Sequence, residues 1–148
     1  MRYVAEVDIP REQVEVFDYL ARFSSAAEWD PGVAEARDRT PDPVGLGSEF
    51  DLVAVFLGNK VPLTYRIVEF ERPDRVVLLA ETRAVRSLDT ITFRPGSAGH
   101  TLVKYDAILD FKGAAKLLSP VLGMAFNKVG DRAAAGLAAS LPPSSATE

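Results

Sequence analysis

Cysteine is absent from the 148 residues, and histidine occurs once. Without cysteine, disulfide scaffolds, thiolate metal sites and cysteine nucleophiles are excluded. One histidine cannot build a histidine-rich zinc site. No apolar run approaches the ~18 residues that a spanning helix needs, so no membrane insertion is expected. The longest runs, at residues 52–57 and 133–139, are of core size. Glu6 and Asp8 follow the first residue closely and leave no room for the apolar stretch of a signal peptide. A cytoplasmic location is therefore expected. Basic charge is scarce: 17 Lys and Arg stand against 21 Asp and Glu, a net charge of −4. Residues 1–74 carry 8 basic and 15 acidic side chains and the remainder 9 and 6, so no nucleic-acid footprint is present. There is no Gly-rich phosphate loop, no Ser-His-Asp arrangement and no calcium-loop spacing. No metal and no cofactor are expected.

What is present suits a globular chain, 47% hydrophobic and 26% charged. A length near 150 residues matches one core. One domain over residues 1–141 is expected, followed by a flexible Pro- and Ser-containing tail at 142–148. Residues 2–8 alternate as a strand. Pro10 pre-sets a helix start, and Val14, Phe17, Leu20 and Ala21 recur at helical spacing, predicting a helix over 10–21. A second short helix is expected over 24–28, with Ser24 as N-cap. Trp29-Asp30-Pro31-Gly32 ends it. Strands are expected at 33–40, 48–57, 60–71, 75–82, 87–94 and 101–111. The connections are short, and Gly58-Asn59 suits a tight hairpin turn. Such spacing implies an antiparallel meander. From 114 to 141 the period changes to three and four, predicting a long helix divided near Pro120 and Gly123. The class is α+β: a sheet of about seven antiparallel strands, two short helices between the first two, and one long C-terminal helix to cover its apolar face.

Six strings carry a resemblance: VAEVDIPREQVEVFDYLARF, AEWDPGV, DPVGLGSEF, VPLTYRIVEFERPDRVVL, SLDTITF and GHTLVKYDAIL. In this order and spacing the chain resembles the START-like (SRPBCC) superfamily, in its polyketide cyclase/dehydrase-like branch. The resemblance implies a helix-grip fold, a curved sheet wrapped around the terminal helix with a gap between them. It does not imply one activity, because the superfamily is similar to a shared container with different contents. Some members bind lipids or sterols, some cyclise polyketides, some carry quinone precursors or bind partner proteins.

Candidate residues follow from alternation. Ser87, Asp89, Ile91 and Phe93 share one face of a strand. With that face inward, Asp89 must be paired, hydrogen-bonded or protonated. It would then serve as a general acid/base or ligand anchor, or as a structural carboxylate paired with Arg83 or Arg86. The opposite facing, with Leu88 and the threonines inward, stays open. Tyr65 lies with Leu63 and Ile67, and Tyr105 with Val103, Ala107, Leu109 and Phe111. Each is read either as core or as a hydroxyl aimed at a ligand. Trp29 closes the pocket mouth or plugs helix against sheet; Asp30 is read as a turn residue. Apolar lining is expected from Phe50, Leu52, Ala54 and Phe56, and from Leu118, Leu122, Met124, Ala125 and Val129 of the last helix. Small residues there, including Gly130 and Ala133, either leave room for a cavity or permit close packing. His100 is read as a solvated hairpin residue.

Three functions remain. The first is binding or carrying a small hydrophobic molecule such as a lipid, isoprenoid or aromatic polyketide-like compound. The second is a cyclase/dehydrase-like enzyme with Asp89 as base and Tyr65 or Tyr105 polarising a carbonyl. The third is a partner-binding module without ligand. Monomer and homodimer are both open.

Overall fold

Period-two alternation governs most of the chain, and it builds one seven-stranded sheet. In the computed structural model the described residues are 1–56, 58–113 and 119–140, with the side chains of 119–126, 128, 129 and 140 not included. The strands are β1 (Arg2–Ile9), β2 (Val33–Asp38), β3 (Glu49–Phe56), β4 (Asn59–Glu71), β5 (Arg75–Glu81), β6 (Val85–Pro95) and β7 (Thr101–Phe111). Their order is β1-β7-β6-β5-β4-β3-β2, every neighbouring pair antiparallel. Thus β2 to β7 form the expected meander, and β1 adds beside β7. Gly58 takes φ +79° in the turn between β3 and β4, where a side chain would be strained. Register shifts at Val33/Glu35 and Ile67/Glu69 interrupt the ladders. Such irregularities bend a sheet and raise its twist, and the sheet is curled into a half-barrel.

Helix α1 (Gln13–Ala21) buries Val16, Phe17, Leu20 and Ala21. The Phe17 ring meets Phe70 and Phe93 edge-on at 5.3 and 5.0 Å. The helix starts three residues later than the proline suggested. Arg11 N–H turns back to the Ile9 carbonyl at 2.8 Å, and Glu12, with ψ 147°, is the N-cap. The expected helix over 24–28 is instead a 3-10 turn (Phe23–Ser25) followed by α2 (Ala26–Trp29). Ser24 does not cap it, because its hydroxyl donates to Asp38 at 2.6 Å.

Helix α3 (Ser119–Ser140) runs through Gly123 without a break, so no division falls there; residues 114–118, on the other side of the division expected near Pro120, lie outside the described residues. Pro120 sits in the first turn, where its missing N–H costs no helical hydrogen bond. The helix packs on β1 and α2. Two glycines make this approach possible. A Cβ on Gly130 would lie 2.6 Å from the Tyr3 ring, and one on Gly136 would lie 1.9 Å from the Trp29 carbonyl oxygen. Leu118 and the tail at 142–148 lie outside the described residues, as do the side chains of Leu122, Met124, Ala125 and Val129. Among the described residues no helix is long and apolar enough to cross a membrane.

Candidate functional site

Between the inner face of the sheet and α3 lies a cavity of about 390 Å³. Period-two alternation sends Leu63 and Tyr65 of β4, and Tyr105, Ala107, Leu109 and Phe111 of β7, into it. Leu52, Ala54 and Phe56 of β3 reach it as well. Among the described residues, Gly130, Ala133, Ala134 and Leu137 form the helical side. The first three take up little of the space, and the close approach at Gly130 and Gly136 anchors α3 on β1 and α2.

Polar groups gather in one place. The Tyr65 hydroxyl lies 2.8 Å from Ser87 Oγ. Ser87 donates to Asp89 Oδ1 at 3.0 Å. Tyr105 donates to Asp89 Oδ2. The ladder registers explain this. Tyr65 faces Ala80 on β5, and Ala80 faces Ser87 on β6, so a methyl group is all that separates the two hydroxyls' strands. Asp89 faces Ala107, and Tyr105 is its diagonal neighbour two residues away, within reach of a long side chain. Aromatic edges fix both tyrosines: Phe23 on Tyr65 at 4.9 Å and Trp29 on Tyr105 at 5.9 Å.

Asp89 is 5% exposed. Burial pushes its carboxyl up to about 6, against the opposing pull of the Tyr105 and Ser87 hydrogen bonds. The same burial, reinforced by the negative field of Asp89, raises both tyrosines well above their ordinary value. Asp30 also lines the cavity. It accepts the Gly32 N–H at 2.8 Å, and burial raises it to about 6.

Asp89 therefore faces inward, and its hydrogen-bond partners are Ser87 and Tyr105 rather than Arg83 or Arg86. Trp29 is buried and lines the cavity, with Nε1 donating to Ser25 Oγ at 3.3 Å. Trp29, Leu52, Phe56, Tyr65, Ser87, Asp89 and Tyr105 come together around one space. Phe50 does not join them; it is buried in the core. Leu118, Leu122, Ala125 and Val129 cannot be placed, their side chains lying outside the described residues. His100 stands apart, its Nδ1 2.9 Å from Asp8. Asp30, Tyr3 and Phe23 are lining residues that alternation did not single out. Asp30 was obscured by its neighbours, because Pro31 and Gly32 mark a turn and a turn acid reads as solvated.

Comparison with known proteins agrees with this architecture. The family model described as polyketide cyclase / dehydrase and lipid transport matches residues 1–142. No curated protein matches the chain. Among solved structures, TTHA0849 from Thermus thermophilus is similar with a TM-score of 0.79 at 18% identity, over 95% of this chain and 97% of that one. A START superfamily protein from Mycobacterium smegmatis gives 0.71 at 14% identity, over 95% and 93%. The Zhui aromatase/cyclase from Streptomyces sp. R1128 gives 0.71 at 16% identity, also over 95% and 93%. At these identities the structural likeness speaks for the fold alone. With the family model spanning nearly all its length, the chain belongs to the polyketide cyclase / dehydrase and lipid transport family.

Proposed function

We propose that the protein binds a small apolar molecule, of lipid, isoprenoid or aromatic polyketide-like kind, in the cavity between sheet and terminal helix. The observation that carries this reading is the hollow of about 390 Å³, walled mainly by apolar side chains, with a cluster of Tyr65, Ser87, Tyr105 and Asp89 at one place in it. Ligand sites have this design: apolar walls supply affinity and a few placed polar groups supply orientation. Native mass spectrometry of freshly purified protein tests the reading. The expected result is an added mass, either co-purified or acquired on incubation with N-phenyl-1-naphthylamine, that is lost on denaturation. Protein that shows only its own mass after that incubation would contradict it.

A cyclase/dehydrase-like activity is the second reading, and the buried Asp89 favours it. A base needs a proton affinity near the working pH, and a carboxyl raised to about 6 has one. The hydroxyl arrangement weighs against the full mechanism. While Asp89 is ionised, it holds the Tyr105 proton directly and draws on Tyr65 through Ser87. Neither tyrosine then has a proton to offer a substrate carbonyl. Binding therefore stands ahead of catalysis. Turnover of a linear polyketide-like chain that is abolished by Asp89→Asn would support the second reading; equal turnover in the variant would remove Asp89 from it.

A further inference from the structure

We infer that the cavity selects apolar ligands whose polar end donates a hydrogen bond, as a phenol, alcohol or amine does, over ligands that only accept one or carry negative charge. This inference rests on the cavity being a small-molecule site, and it follows from counting protons. A hydroxyl has one proton to give, and an ionised carboxylate has none. Ser87 gives its proton to Asp89, so the 2.8 Å contact with Tyr65 is made by the tyrosine's proton. Tyr105 gives its own to Asp89. Elsewhere in the lining, Tyr3 donates to Asp131 at 2.6 Å, Trp29 Nε1 to Ser25 and the Gly32 N–H to Asp30.

Each of these protons is already taken by a partner within the protein. What Tyr65, Tyr105 and the Asp30 carboxylate still have to offer in the lining is oxygen lone pairs. The remaining amide-bearing side chain in the lining, Asn59, is exposed at the start of β4. No Lys, Arg or His lines the space among the described residues. A ligand that brings its own proton completes this arrangement. One that brings only lone pairs leaves them unmatched in an apolar space, which is costly. A carboxylate also meets two acidic side chains.

Displacement of N-phenyl-1-naphthylamine at pH 8 tests the inference with four ligands of one shape. These are 2-naphthol, 2-methoxynaphthalene, 2-naphthoate and 2-methylnaphthalene. The expected result is that 2-naphthol binds about fivefold or more tightly than 2-methoxynaphthalene, the scale of one net hydrogen bond, and that 2-naphthoate binds weakest. In Asp89→Asn, whose amide donates as well as accepts, the naphthol preference should fall to about twofold or less. Equal binding of naphthol and methoxynaphthalene, or tightest binding of naphthoate, would overturn the inference and leave the cavity reading standing. Failure of all four, 2-methylnaphthalene included, would overturn both. The wild-type series decides the matter even where the variant fails to fold.

Discussion

Asp89 carries most of the electrostatics at the residue scale. Its carboxyl is raised to about 6 by burial, and it faces Ser87, Tyr105 and Tyr65, with Asp30 and Asp106 adding negative field. A raised acid makes a stability contribution that is complete below the unfolded value near 4 and lost as pH rises through 6. Two pH units correspond to roughly 3 kcal/mol at most. Replacing Asp89 with Asn should remove its share, so urea melts between pH 4 and 7 should show a flatter stability profile. A slope remains, because Asp30 titrates in the same window. An unchanged slope would mean that Asp89 does not titrate there. Ala80 offers a second residue-level check. It is buried between Tyr65 and Ser87 in the ladder. Ala80→Leu should separate the two hydroxyls and cost about 1–3 kcal/mol by overpacking, read as a lowered Tm. Equal stability would show that the sheet opens at that point. In the sequence Ile91 and Phe93 favour an inward Asp89, but Leu88 and the two threonines make an equally regular half-buried face, so alternation alone left its facing open. Its partners were not legible, because Tyr105 reaches it across a ladder whose register alternation alone does not give.

At the scale of elements, α3 is held by contacts that only glycine permits. Gly136→Ala would place a methyl carbon 1.9 Å from the Trp29 carbonyl oxygen. That atom is backbone, so α3 or the end of α2 must move. The helix gains up to about 1 kcal/mol from the better propensity of alanine. The clash should outweigh it, with a net loss of about 1–3 kcal/mol and weaker ligand binding, measured by thermal melts with and without N-phenyl-1-naphthylamine. A variant as stable as wild type would show that the close approach is not required. Strands were read more accurately than helix ends. The expected 101–111 strand coincides with β7, and β5 differs from its expectation by one residue. Alternation repeats over many residues, whereas a helix end turns on one or two local bonds. Ser24 illustrates this: it has the chemistry of an N-cap but spends its hydroxyl on Asp38 of β2, a tertiary partner that local sequence does not reveal.

The whole molecule is a curled sheet gripping a helix that does not fill it. The order of elements made that architecture legible. Whether the small residues of α3 closed the space or left it open was not, since small side chains serve both ends. The answer depends on where β1 and α2 hold the helix, through Tyr3 against Gly130 and Trp29 against Gly136. In the proposed function this space takes up one small apolar molecule. Titration of N-phenyl-1-naphthylamine into wild type and Ala107→Phe tests it most directly, because Ala107 lies on β7 within the lining, beside Asp89 in the ladder. Saturable one-to-one binding is expected in wild type, with loss of that binding in a folded variant whose added ring occupies the space. No saturable binding to wild type, or equal binding to both proteins, would contradict it.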